Sequence, residues 1–222
     1  IKDIQMFDDT FTLLPERTKE ICKGIIERKL DIGWNCMTRV DRIDKEITDL
    51  MKKAGCYEMG FGIESGSERM LKFIKKGVTK QQIRNGVKLA KNSGIHVRGF
   101  FMMGFPTETK KEVLETIEFA KELDVDVAQF MVSTPFPGTE LWEIAKMSGE
   151  INEDWSSFTF YAPDEVPFTS KLLSKNDILD LYKKAYKSFY LRPKFILRQF
   201  LYIRSFTDIE RQWNAAKGIL GL

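Results

Sequence analysis

Hydrophobic positions along the chain follow two rhythms. Short apolar runs, several of them rich in β-branched or aromatic residues, recur at Ile1–Phe7, Gly33–Met37, Tyr57–Ile63, Ile95–Met103 and Asp126–Val132. Such runs read as strands buried on both faces. Between them, apolar residues recur at helical spacing, with punctuation at the ends. Pro15 suits a first helical turn ahead of Ile21, Ile25 and Ile26. Asp44 can cap a helix bearing Ile47, Leu50, Met51 and Ala54, with Gly55 at its end. Ser67 can cap a short helix that stops at Gly77. Thr79 with Gln82 makes a capping box ahead of Ile83, Val87 and Ala90, closed by Gly94, and Thr109 with Glu112 repeats it before Val113, Ile117 and Ala120.

Strands alternating with helices at this interval predict βα units and a parallel sheet. Right-handed crossovers then give a closed barrel or an open doubly wound sheet, and in either the ligand site lies at the carboxyl ends of the strands. Asp8 and Asp9, Arg39, Glu64 and Ser65, Gly104 to Pro106 and Ser133 to Pro137 all fall there. From Ile151 the repeat stops, so the expected division is a βα part over residues 1–150 and an extension over residues 151–222. Within the extension, Trp155 to Pro167 is aromatic and loop-like. Ser174 with Asp177 can cap a helix with Ile178, Leu181, Tyr182, Ala185 and Phe189 on one face, broken by Pro193. Two more helical stretches follow, the last capped by Thr207 with Glu210 and carrying Ile209, Trp213 and Ala216.

Composition narrows the function classes. With 35 basic and 32 acidic side chains the net charge is +3, too small to argue for a nucleic-acid partner. No run is long and apolar enough for a membrane span, and no signal peptide is visible. Three widely spaced cysteines, Cys22, Cys36 and Cys56, argue for a reducing, cytoplasmic setting and read as buried thiols rather than a metal site. His96, the single histidine, lies in an apolar run and reads as structural. The chain opens at Ile1 directly on a strand, which is the expectation for a piece of a longer protein.

Four short segments carry the candidate chemistry. In Gly60-Phe61-Gly62-Ile63-Glu64-Ser65-Gly66-Ser67, the glycines allow close approach of a ligand, and Glu64 can accept two hydroxyls, as a ribose offers. A glycine-rich turn with a solvated Glu64 explains the same residues. Asp8-Asp9-Thr10 is either a set of acceptors for an ammonium group or a polar loop. Gly104-Phe105-Pro106 is either a flat apolar face for a purine or strand punctuation. Pro135-Phe136-Pro137-Gly138-Thr139 is a rigid turn and cap in its simplest reading.

Taken in order, these segments resemble the radical S-adenosylmethionine (SAM) superfamily. The matching text is Phe7 to Thr12, Gly62 to Ser67 running on to Leu71 and Lys75-Lys76-Gly77, Met103 to Thr109, and Pro135 to Leu141. The likeness covers Ile1 to Gly149. It falls within the group of coproporphyrinogen oxidases, methylthiotransferases and cobalamin-dependent enzymes, and its flavour is that of the anaerobic magnesium-protoporphyrin monomethyl ester cyclases.

The resemblance implies a partial (β/α) barrel of about five parallel strands, lacking the family's first strand and followed by a helical C-terminal region. It implies that Asp8 and Asp9 face the methionine amino group and that Glu64 and Ser65 lie where the ribose is contacted. Lys76 and Arg39 are the cations available to the methionine carboxylate. Phe105 and the backbone of Val132, Ser133 and Thr134 lie where the adenine is bound. Phe100 stands where some relatives carry an acidic residue, which leaves a second ribose carboxylate without a counterpart. One departure is large. The family's Cys-x-x-x-Cys-x-x-Cys loop, which holds a 4Fe–4S cluster, has no match in this sequence.

The implied cofactors are therefore SAM, a 4Fe–4S cluster whose ligands are absent from this chain, and cobalamin held by an upstream domain. The implied activity is 5′-deoxyadenosyl-radical chemistry on a small-molecule substrate in the whole protein, with this chain alone inactive. Tetrapyrrole cyclisation and methyl transfer are the two reaction types in view. Two alternatives stand beside this: a (β/α)-barrel lyase or isomerase, and a non-catalytic barrel binding a nucleotide-like ligand or a partner. The edge formed by Ile1–Phe7 is expected to self-associate or to be covered by the C-terminal helices.

Overall fold

The computed structural model describes residues 1–152, 154–158 and 165–202, with residues 210, 214, 217, 218 and 221. Five strands, β1 (Asp3–Met6), β2 (Gly33–Thr38), β3 (Cys56–Glu64), β4 (His96–Met103) and β5 (Val127–Val132), lie side by side in chain order. The pairings of β1 with β2, β2 with β3 and β3 with β4 are parallel, setting Ile4 opposite Trp34, Cys36 opposite Met59 and Phe61 opposite Gly99. Helices α1 (Pro15–Glu27), α2 (Lys45–Lys53), α3 (Glu68–Phe73), α4 (Lys80–Asn92) and α5 (Lys110–Leu123) make the crossovers. The expected α/β fold of helix-linked parallel strands is present.

Two units make up the chain, residues 1–101 with 122–129 and residues 102–121 with 130–222. In the first, the core is Trp34, Met51, Met59, Phe61 and Ile63, all sealed from solvent, with the Trp34 indole N–H donating to the Ala54 carbonyl. The strands are not buried on both faces as expected. Trp34, Cys36, Met59, Phe61, Ile63, Val97 and Phe101 are buried, while the alternate residues Asn35, Glu58, Gly62, Arg98 and Phe100 are half-buried and Met37 is exposed. That face carries polar side chains, which stay solvated or pair with each other, as Arg98 does with Glu58 at 2.9 Å.

Most helix starts follow the local sequence. The Asp44 carboxylate accepts the Ile47 N–H at 2.8 Å, and Thr79 and Gln82 form a reciprocal capping box. Thr109 and Glu112 bond each other's backbone N–H groups. Two local expectations need correction. The short helix after Ser67 ends at Phe73, because Lys75 turns left-handed at φ 53° and the Lys76 N–H reaches back to the Leu71 carbonyl. In α1 the buried positions are Thr18, Cys22 and Ile25, and Ile26 is exposed.

In the second unit, Thr139 caps α6 (Glu140–Ser148), and β6 (Gly149–Ile151) pairs antiparallel with β7 (Phe168–Ser170). That hairpin was not expected; its strands are three residues long, too short to show a period. Helix α7 (Lys175–Tyr190) starts at the Ser174–Asp177 capping box and buries Ile178, Leu181, Tyr182, Ala185 and Phe189, as expected. Pro193 opens α8 (Pro193–Tyr202) rather than only breaking α7. The helix expected around Thr207, Ile209, Trp213 and Ala216 lies outside the described residues.

Candidate functional site

In the first unit the candidate groups sit at strand ends, where loops leave the sheet. Glu64 is the last residue of β3. The β3–β4 register slips between Gly62 and Glu64, and Glu64 adopts φ 66°, a left-handed conformation rare for a non-glycine residue. This turns its side chain back over Gly62. The Lys76 ammonium donates to Glu64 Oε1 at 2.9 Å, and both side chains are 18% exposed. A Cβ on Gly62 would lie 2.5 Å from Glu64 Oε1 and 2.9 Å from Lys76 Nζ, so the pair occupies the space that glycine leaves open.

Lys76 is itself held. Arg39, just past β2, grips Asp41 with two hydrogen bonds of 2.9 and 3.0 Å, and one of its nitrogens also donates to the Lys76 carbonyl at 3.2 Å. Burial works to raise the Asp41 carboxyl, but hydrogen bonds and charge from Arg39 outweigh it and hold it below its ordinary range. Asp41, Arg39, Lys76 and Glu64 are thus one connected network of two cations and two anions. Gly77 follows Lys76 at φ 73°. The sequence marked Glu64, Lys76 and Arg39 but missed Asp41; the charge complement in Arg39-Val40-Asp41 at a strand end was the available signal.

The other marked residues of this unit make contacts of their own. Asp8 Oδ1 accepts the Thr10 N–H at 3.0 Å and Oδ2 accepts from Arg17 at 3.0 Å, with Arg17 also donating to the Phe11 carbonyl. Asp9 is exposed, and Ser65 is buried with its hydroxyl accepting the Ser67 N–H. Phe100 and Met37 flank Gly60, whose Cβ would lie 2.7 Å from Met37 Sδ and 3.0 Å from the Phe100 ring. His96 is half exposed at the opposite, amino end of β4, near Asp126.

In the second unit, Gly104 takes φ 82° and Phe105 is buried. Glu108, fully buried, accepts the Gly104 N–H at 2.7 Å and the Phe105 N–H at 3.2 Å through Oε2. It is the anchor of this turn and was given no role from sequence. After β5, the Ser133 N–H donates to the Met103 carbonyl at 2.7 Å, and Val132, Ser133 and Thr134 are all buried.

The cysteines do not fit a cluster. Cys22, Cys36 and Cys56 are buried free thiols, and no group of three or more potential metal ligands occurs among the described residues. Burial pushes the Cys22 thiol up to about 12. A hydrogen bond to Cys56, then burial, pushes Cys36 up as well. No helix among the described residues is long and apolar enough to cross a membrane.

Comparison with known proteins supplies the family. Residues 1–120 match the family described as the radical SAM superfamily. An uncharacterised methyltransferase of Pyrococcus horikoshii is 45% identical over 201 residues, covering 89% of this chain and 43% of the relative. The anaerobic magnesium-protoporphyrin IX monomethyl ester cyclase of Rubrivivax gelatinosus is 26% identical over 191 residues, 85% of this chain and 34% of its own. The radical S-adenosylmethionine methyltransferase TsrM of Kitasatospora setae, solved with cobalamin and a 4Fe–4S cluster bound, shares the fold at a TM-score of 0.61 and 24% identity. That match covers 66% of this chain and 29% of TsrM. The chain therefore spans less than half the length of these relatives. With more than half of its residues matched by the family and its helix-linked parallel sheet in place, this chain belongs to the radical SAM superfamily.

Proposed function

We propose that this chain is the SAM-binding part, residues 1–150, with its C-terminal extension, of a radical SAM enzyme whose reaction is methyl transfer to a small molecule. The observation that carries the binding reading is the Glu64–Lys76 pair, folded over bare Gly62 at a strand end. A carboxylate and an ammonium held together are the complement of a ligand that brings its own hydroxyls, ammonium and carboxylate. Glu64 would accept the ribose hydroxyls. Lys76, kept in place by Arg39, would meet the methionine carboxylate, and Asp8 with Asp9 the methionine ammonium. Phe105 and Val132–Thr134 would contact the adenine. When bound, SAM supplies a sulfonium whose methyl and 5′-carbon are both reactive. A 4Fe–4S cluster of the whole protein would be held by residues other than the three cysteines of this chain.

Methyl transfer is favoured over tetrapyrrole cyclisation by the relative named as a methyltransferase, at 45% identity against 26% for the cyclase. Cobalamin, bound in TsrM, is the cofactor this reading adds to the whole protein.

SAM titrated into the parent chain and into Glu64→Gln and Lys76→Met tests the binding reading. Each variant is expected to weaken binding by about 1–3 kcal/mol, the range for a hydrogen bond to a charged group. Because the two groups pair with each other, the double variant should lose less than the sum. Parent-like affinity in both single variants would reduce the pair to a turn device.

Self-association belongs to the same proposal. In the strand order β1 is an end strand, with Asp3 and Gln5 exposed and Ile4 and Met6 half-buried. An open parallel edge recruits strands, so light scattering should rise with concentration for the parent and less for Ile4→Lys. A parent that stays monomeric across the series refutes the idea.

A further inference from the structure

Strand β5 is the other end of the strand order, and a side chain meets its backbone. Tyr186, on α7, donates its phenolic O–H to the Phe130 carbonyl at 3.1 Å and accepts the Phe130 N–H at 3.3 Å. One phenol thereby takes both backbone groups of a residue, the work a further strand would do. The ring has little freedom. It meets Phe130 edge-on at 5.4 Å, lies 5.0 Å from Tyr182 and stacks on Tyr190 at 6.0 Å. Burial, and then the neighbouring Tyr182, push the Tyr186 phenol above its ordinary range, so it keeps its proton and remains a donor.

Phe130 lies two residues before the end of β5. The next residue after the strand, Ser133, is fastened through its N–H to the Met103 carbonyl. The strand end is therefore held at two points, Tyr186 at Phe130 and Met103 at Ser133. We propose that Tyr186 is a positioning residue for the adenine-binding strand end Val132–Thr134, an inference that rests on the SAM-binding reading above. A phenylalanine would fill the same space but would remove both hydrogen bonds to the Phe130 backbone.

The test uses the 222-residue chain, with 5′-methylthioadenosine as the probe of the adenosine end. It compares the parent, Tyr186→Phe and Phe189→Leu. Phe189 packs on Phe130 at 6.3 Å and is fully buried, so Phe189→Leu loosens the same core without touching the two hydrogen bonds. In Tyr186→Phe, amide exchange at Phe130 and Val132–Thr134 should accelerate and affinity for the probe should fall about tenfold. Phe189→Leu should lower the melting temperature yet keep affinity within about twofold of the parent. Parent-like affinity in Tyr186→Phe overturns the proposal while leaving the cofactor reading intact. Equal affinity loss in both variants at matched melting temperature also overturns it, since packing alone then explains the effect. A parent that binds no methylthioadenosine sinks the cofactor reading, and this inference with it.

Discussion

Glu108→Ala is expected to cost about 3–5 kcal/mol of folding stability, from two hydrogen bonds lost at once and two buried donors left without that acceptor. Glu108 is fully buried, and its Oε2 accepts the N–H groups of both Gly104 and Phe105. Its own N–H donates to the Phe105 carbonyl at 3.0 Å. The turn it closes contains two left-handed residues, Gly104 at φ 82° and Thr107 at φ 69°, which the loop holds only while its amides are anchored. Glu108→Gln keeps a carbonyl acceptor of the same reach and should cost about 1–2 kcal/mol. Urea unfolding of the three proteins measures both values. An alanine variant within about 1 kcal/mol of the parent would show that the turn stands without its carboxylate. Phe105 sits in this turn, so probe affinity should fall with stability in Glu108→Ala.

Gly86→Ala should destabilise the chain by about 2–3 kcal/mol, the range for forcing extra atoms into a packed interior. Helix propensity predicts the opposite sign, since alanine inside a helix is favoured over glycine by about 0.5–1 kcal/mol. Packing decides between them. A Cβ on Gly86, in α4, would lie 2.7 Å from both the Cβ and the carbonyl oxygen of Val40, and 3.1 Å from its Cα. Backbone atoms cannot swing aside as a side-chain tip does. Val40 lies between Arg39 and Asp41, whose bond holds the Lys76 turn, so the displacement should also weaken SAM binding. Thermal unfolding with a ligand titration checks both effects. A melting temperature at or above that of the parent would mean that propensity wins and that the α4 contact yields.

Much of the fold was legible because its signals are short-range. The Asp44, Thr79, Thr109 and Ser174 caps each bond a partner three residues away. The parallel sheet followed from the alternation of strand and helix. The face to be buried was not legible on the strands, since Gly60, Gly62, Met37 and Phe100 on the half-open face look as apolar as the core. At the site, sequence picked out Glu64, Lys76 and Arg39 separately. It did not show that Arg39 turns to Asp41 and the Lys76 carbonyl, nor that Lys76 turns to Glu64. The family match, rather than any single residue, favours the radical SAM reading over the lyase or isomerase alternative.

What the sequence determined by itself is therefore the helix starts set by caps, the order of the five parallel-sheet strands and the helices between them, the likeness to the family, and the absence of a cysteine triad. These depend on residues within a turn of one another or on the text alone. Only the tertiary structure decided the pairings across 37 residues at Arg39 and Lys76 and across 56 at Phe130 and Tyr186. It also decided the conflict between Gly86 and Val40. Such contacts depend on strand register, on crossover hand and on where a helix face lands. Chain connectivity permits many partners at those separations, and close packing leaves one.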